Sequence, residues 1–480
     1  MVVIGGGITG LTAAWLLKQA GKKVVLVDLG EVGGGATGCS SGHLTALPDR
    51  PLAQLVSDFG EDGARLALRG GMDAIDLIES LASPEADFQR LPGFRFTERD
   101  EDLDALRKEA DLAARLGLAS SGSELLPVPF PVKGALRLER QAQFHPVRYL
   151  ESLLERFAGD DARVFEHTTV DEVVEGERCR VHAGTHWIDA PVVIEATHTP
   201  INKSLGIQAR VGPYLSYVLG LKLQGEAPRA LLWDMAEPYH YLRRARTETG
   251  ELLVVGGEDR KTGQEHDPVA RLEALHEYAK SRFPVESVEY SWSQQVFDSA
   301  DGLPFIGRKP GYERILTSGG YSGNGLTFGT QAGMILSDLV LGRETPASSL
   351  YSPSRIKPLA AAKEFLRENL NVAWHLVMDR LKSHDEAGGT PLKPCEGRIM
   401  DLDGRHVAVY MDETRRLHVL SPVCVHAGGI VAWNDLEKTW DCPCHGGRYS
   451  PTGKVLCSPP THDLQSFPEP VRPARALVGP

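Results

Sequence analysis

Residues 1–28 read as strand, glycine turn, helix and strand, and no other stretch restricts the fold of this chain as strongly. Val2-Val3-Ile4 is a short apolar run, and Gly5-Gly6-Gly7-Ile8-Thr9-Gly10 after it fits G-x-G-x-x-G. Leu11–Gln19 then has helical spacing, with Leu11, Ala14 and Trp15 on one face. Gly21 ends that helix, Lys23–Val27 is the second strand, and Asp28 closes it 18 residues after Gly10. Gly5 permits the tight turn, Gly7 lets backbone approach a pyrophosphate, and Gly10 lets helix and strand pack closely. Ile8 and Thr9 open the helix, whose unpaired N–H groups would face the phosphates. Asp28 would accept a ribose hydroxyl, which favours a cofactor without a 2′-phosphate. This is the pattern of a Rossmann-like dinucleotide site, and by itself it does not separate FAD from NAD. The small-residue loop Gly33–His43, with Thr37, Ser41, Gly42 and His43, is long enough to wrap the bulkier flavin nucleotide; its alternative is a mobile surface loop. The shortness of the first strand predicts a natural start upstream of Met1, which mass spectrometry of the native protein would reveal.

A second constraint lies near the other end. Cys424-Val-His426 is followed, after fifteen residues, by Cys442-Pro-Cys-His445. Two thiolates and two imidazoles on two short loops form the ligand set of a Rieske 2Fe–2S centre, in which two His replace two Cys on one iron. Structural zinc takes the same four groups but favours like ligands paired on one element, whereas here each loop mixes one Cys with one His. Gly428, Gly429, Gly446 and Gly447 would let the backbone close around a cluster. Zinc remains the alternative at this level.

With 480 residues the chain can hold about three domain-sized units. Its 42% apolar and 24% charged residues are those of an ordinary globular protein. The net charge of −12 argues against nucleic-acid or anionic-membrane binding. No run of about eighteen apolar residues offers a membrane span. An odd count of seven cysteines, two or more committed as ligands, predicts a reduced, cytoplasmic protein.

Further stretches carry a resemblance. Gly38–Thr45, Phe144-His145-Pro146-Val147-Arg148-Tyr149-Leu150, Asp301-Gly302-Leu303-Pro304-Phe305-Ile306-Gly307 and Gly319–Thr327 join Gly5–Gly10 and Asp28. Together they resemble flavoproteins of the D-amino-acid oxidase superfamily over about residues 1–345. Pro238–Arg243, Val255–Gly263, Trp433-Asn434 and Lys438–His445 are similar to a bacterial subfamily that joins such a module to a C-terminal Rieske domain. The resemblance implies an α/β Rossmann-like FAD-binding fold interleaved with an α+β substrate domain, and an all-β C-terminal Rieske domain. It also implies that Thr197, Gly323, Asn324, Gly325, Leu326 and Thr327 lie against the flavin. Two departures stand out. Many Rieske domains carry a Cys at position 429 that is disulfide-bonded to the middle Cys of the second loop; here Gly429 leaves Cys444 without that partner. The high-potential group has Ser at position 447, where this chain has Gly447; Tyr449, the other donor to a cluster sulfur, is kept.

In such folds the domains interleave. We expect FAD-binding and substrate domains over 1–345, with the cofactor half at about 1–80, 140–210 and 295–345 and the substrate sheet near 85–140 and 210–295. A connector and helix fill 346–388, and the Rieske domain 389–480. Phe365, Leu366, Leu370, Ala373, Val377 and Leu381 recur at helical spacing, which predicts an amphipathic helix, packed between the redox modules or serving as a spacer. Tyr241 and Arg243 alternate on a strand, so they share a face where Arg243 could clamp a substrate carboxylate. Tyr321 and Asn324 are the other candidates to face substrate and flavin. The facial triad of a Rieske oxygenase, Asp-x₂-His-x₄-His, is absent from the sequence. The expected function is an FAD-dependent oxidoreductase acting on a small amine or amino acid. Flavin electrons would pass singly to the 2Fe–2S cluster and on to an external electron acceptor. An NAD(P)H-dependent electron-transfer reductase and a redox-sensing flavoprotein are the alternatives.

Overall fold

A computed structural model describes the chain except for residues 124, 202–204, 249, 266, 356–357, 382–384, 387–390, 403 and 468–480. Its first sheet is built on the N-terminal motif. In order across the sheet lie Phe305–Arg308, Ile315–Gly319, Val193–Glu195, Val2–Ile4, Val24–Val27 and Ala162–Phe165. All pair in parallel except Phe305–Arg308 with Ile315–Gly319. The central strands Val2–Ile4 and Val193–Glu195 are buried at every residue. A parallel sheet covered on both faces favours such buried runs, and Glu195, the charged residue among them, is paired with Lys309 at 2.9 Å.

Two helices pack against each other over this sheet: Ile8–Gln19, which follows the first strand, and Gly325–Val340 from the far end of the module. Their approach depends on glycine, since a Cβ on Gly329 would come within 2.6 Å of Ile8 and one on Gly333 within 2.7 Å of Thr12. Residues more than 300 positions apart are thus brought to one nucleotide turn.

The second sheet runs Val285–Ser299, Val211–Leu223, Gly250–Lys261, His240–Thr247, Leu231–Asp234, Gln89–Thr97, Gly134–Gln143 and His43–Leu44, with Ser120–Ser123 pairing on Gly134–Gln143. Val285–Ser299 carries the functional geometry: it stays paired with Val211–Leu223 to its last residue, and its Gln294–Phe297 stretch lines the flavin cleft.

The C-terminal unit consists of two small sheets. One joins Asp385–Glu386, Glu396–Leu402, Arg405–Met411 and Leu417–Leu420; the other joins Ala432–Asn434, Thr439–Asp441, Arg448–Tyr449 and Val455–Cys457. Trp440 is fully buried and packs on Trp433, with ring centroids 4.9 Å apart.

Helix Pro358–Leu381 does bridge the modules, but by the face opposite to the one expected. Glu368 pairs with Lys261, Asn371 with Gln264, and Val372 and Leu376 pack on the C-terminal core. Phe365, Leu366, Leu370, Ala373 and Val377 are exposed, and the Leu381 side chain lies outside the described residues. Specific polar pairs with the sheet, rather than apolar periodicity, set the rotation of this helix.

Candidate active site and cluster centre

One long cleft follows the nucleotide motif. Gly5, Gly7, Ile8, Thr9, Asp28, Thr37 and Thr197 line it together with Gln294–Phe297, Tyr321, Ser322, Gly323, Gly325 and Leu326. The glycines are required by contact: a Cβ on Gly10 would lie 1.8 Å from the Gly5 carbonyl oxygen, and Gly5 itself has φ +100°. The Asp28 carboxylate accepts from the backbone N–H of Gly6 at 2.5 Å and of Gly30 at 2.8 Å, which sets its place beside the turn. The Ile8 N–H donates to Thr37 Oγ1 at 3.0 Å, so the small-residue loop folds back over the helix start. Tyr321 donates to Ser318 Oγ at 2.7 Å and lies 3.1 Å from Thr9 Oγ1. Glycine at the turn, a helix N-terminus and a carboxylate at the end of the second strand fit the adenosine pyrophosphate of FAD.

Other predicted residues stand behind this surface. Asn324 donates to the Leu47 carbonyl and to Asp49, bracing the glycine segment, and Thr327 is buried in the helix below it. Ser41 and Gly42 are buried, and burial lowers His43 to about 3, so this ring is neutral; it stands edge-on to Trp233. Tyr241 and Arg243 do share a side of their strand, yet neither lines the cleft. The Arg243 guanidinium is buried and donates to the carbonyls of Ser41 and Arg244. It therefore holds the Ser41–Gly42 segment in place, and it lies outside the cleft where the carboxylate clamp was expected.

The four ligand candidates meet in two pairs. The Sγ of Cys424 lies beside that of Cys442, and the rings of His426 and His445 stand 5.1 Å apart at 87°. The hydrogen bond to Cys442 and then burial raise the Cys424 thiol, so this pair ionises only against a cation. Burial lowers both histidines to about 4, leaving neutral rings, the form that binds iron. His445 Nδ1 is buried without a hydrogen-bond partner. Gln208 donates its amide to the Pro200 carbonyl at 2.9 Å, which turns its oxygen toward His426 Nε2 at 3.0 Å. That contact protonates Nε2 and leaves Nδ1 for metal. Paired thiols on one side and paired imidazoles on the other match a binuclear cluster.

The comparisons agree with both halves. The profile described as FAD dependent oxidoreductase matches residues 1–339, and that of the Rieske [2Fe-2S] domain matches residues 391–468. The chain belongs to the DAO family of FAD-dependent oxidoreductases. It also carries a Rieske domain. The Rieske 2Fe-2S iron-sulfur protein YhfW of Bacillus subtilis is 32% identical over 97% of this chain and 93% of its own length. Glycine oxidase of Bacillus subtilis is 26% identical over 73% of this chain and 95% of its own. The crystal structure of glycine oxidase from Geobacillus kaustophilus superposes with a TM-score of 0.61 at 17% identity, covering 74% of this chain and 98% of that one. This DAO-family member therefore binds FAD and a 2Fe–2S cluster and is an FAD-dependent oxidoreductase. No described helix is long and apolar enough to cross a membrane.

Sequence reading did not foresee how closely this oxidoreductase joins its two centres. Val455–Ser458, Pro460 and Thr461 of the Rieske domain form part of the flavin cleft wall. Ser458 donates to the Thr197 carbonyl. Gln295, from the sheet strand that lines the cleft, donates to the Gly446 carbonyl at 2.8 Å, next to ligand His445, and accepts from Cys457 Sγ at 3.2 Å. The packing there is tight, since a Cβ on Gly446 would meet Pro213 at 2.5 Å. No local pattern in the sequence marks a contact 151 positions long.

The missing disulfide has a clear geometry too. A Cβ on Gly429 would lie 2.7 Å from Cys444 Sγ, while Cys444 is buried and unbridged. That separation is close to what a disulfide needs from the Cβ of one half to the sulfur of the other. Gly429→Cys is therefore expected to close the bond without moving the backbone. Thiol titration of the denatured, cluster-free variant should find one free thiol fewer than in the parent; one more would show that no bond forms.

Proposed function

We propose that this oxidoreductase oxidises the C–N bond of a small amine or amino acid at FAD and passes the electrons one at a time, through its own Rieske cluster, to an external acceptor. Bound FAD supplies a two-electron acceptor and the cluster a one-electron carrier. The observation that carries the route is Gln295: one residue stands in the flavin cleft wall and hydrogen-bonds the loop that holds His445. Gln208 adds a second bridge from the flavoprotein module to His426. The Val455–Thr461 lip lines the cleft from the Rieske side, while Tyr321 and the Gly323–Leu326 segment would orient what binds there. Relatives named glycine oxidase support a small substrate bearing nitrogen.

Anaerobic mixing with amines, amino acids and NAD(P)H, followed by absorbance, tests the reading. The expected result is flavin bleaching by an amine or amino acid, followed by reduction of the cluster. Fast bleaching by NADH alone would overturn the substrate assignment. Bleaching with no later change in the cluster spectrum would overturn the route.

A further inference from the structure

The hydrogen-bond acceptor that faces His426 belongs to the other module. Gln208 ends the short helix Leu205–Gln208 in the flavoprotein half, 218 positions before the ligand it meets. It is 2% exposed, and a buried amide must find partners for both its nitrogen and its oxygen. The Pro200 carbonyl can only accept, so the amide nitrogen has to lie on that side, at 2.9 Å. The amide oxygen is then left for His426 Nε2 at 3.0 Å, and only a protonated ring nitrogen satisfies it.

Two sets of contacts fix this oxygen in place. The backbone beside Gln208 is tied down: Asn369 of the long helix donates to the Ala209 carbonyl at 2.8 Å. Arg210 donates to the carbonyls of Pro353 and Arg355 at 2.7 and 3.0 Å. On the other side of Gln208, Ile207 is buried in one apolar cluster with Val211, Phe297 and Phe305. Phe297 also lines the flavin cleft, so the segment that presents the oxygen is continuous with the cleft wall. An oxygen held by its own backbone, rather than by the histidine, is preorganised and keeps its place when the charge on the ring changes.

The two imidazoles are therefore not equivalent. His426 meets an amide oxygen at its outer nitrogen, whereas His445 has no such partner among the described residues.

We propose that Gln208 is a positioning residue for the cluster: from outside the Rieske domain it holds His426 in the form that binds iron through Nδ1 and keeps the midpoint potential low. An N–H that donates to a fixed oxygen leaves the ring a stronger electron donor at its other nitrogen. A stronger donor stabilises oxidised iron more than reduced iron, so the potential falls. The potential is then a joint property of the two modules, reached only when the flavoprotein half is docked on the cluster loop. The inference goes beyond the proposed C–N oxidation and does not depend on its substrate.

The test is a redox titration, followed by absorbance and electron paramagnetic resonance, of the FAD- and cluster-loaded full chain and its variants. Gln208→Leu fills the space but offers no oxygen. It should move the cluster's reduction equilibrium about tenfold or more toward the reduced form, a rise of about 59 mV for one electron. Gln208→Met carries the same expectation and takes the place of the Leu variant if that one takes up no cluster. Gln208→Glu keeps an oxygen at the same reach, so its midpoint should stay at or below that of the parent. Pulsed resonance of the reduced cluster should show altered nitrogen couplings for one histidine in Gln208→Leu and unchanged couplings for the other. An unaltered flavin spectrum shows that each variant keeps its flavoprotein half folded. A Leu or Met variant whose midpoint stays at or below the parent's would overturn the proposal. So would a Glu variant whose midpoint rises as far as the Leu variant's, because lost packing alone would then account for both. The titration uses a chemical reductant and no substrate, so its outcome is independent of whether amines or amino acids bleach the flavin.

Discussion

Cys442→Ser is expected to abolish the iron–sulfur spectrum while leaving the flavin spectrum intact. Cys442 is buried beside Cys424, and a serine oxygen there is a harder and less readily ionised ligand than thiolate. The residue is outside the flavin cleft lining, so substrate should still bleach FAD at close to the parent rate. Turnover with a haem-protein acceptor, too large to enter behind the Val455–Thr461 lip, should fall by on the order of 100-fold. Steady-state assay with such an acceptor, alongside electron paramagnetic resonance of the reduced protein, checks both halves. Undiminished turnover would mean that electrons leave the flavin without passing through the cluster.

The second large effect concerns the potential of that cluster. Its reduced form carries extra negative charge on the sulfurs, and donors to those sulfurs stabilise it. Tyr449 supplies one, with its hydroxyl 3.2 Å from Cys424 Sγ. A serine at 447 would supply another, but a Cβ there would come within 2.8 Å of the Pro460 ring, which fills that space. With one side-chain donor of two, the midpoint is expected nearer about −150 than +300 mV. Tyr449→Phe should lower it further, by on the order of 50–100 mV. A redox titration that gave the parent a midpoint above roughly +100 mV would contradict the donor argument.

What could be read in advance was whatever depends on short spacing. The Gly5–Gly10 turn with Asp28, and the two Cys/His loops, are local patterns whose chemistry is fixed by a handful of adjacent residues, and the structure assembles each as a unit. Gln295 and Gln208 escaped notice because each looks ordinary on its own element, and only the packing of distant segments brings them to the cluster loops. Arg243 was misjudged because strand alternation gives the side of a residue but not what already occupies that side, here the Ser41 carbonyl. The long helix was turned the wrong way because its apolar stripe was assumed to be buried. Its polar side instead finds partners in Lys261 and Gln264.

The wall that Val455–Thr461 adds to the flavin cleft has a bearing on how the protein is made. A nucleotide seated on Gly5–Gly10 is enclosed in part by residues translated some 450 positions later. Flavin entry and docking of the C-terminal domain are consequently not independent events. The order of biogenesis that this geometry favours is insertion of the flavin into the open N-terminal half, then closure by the iron–sulfur domain, which acts as the final stopper of a site it did not build.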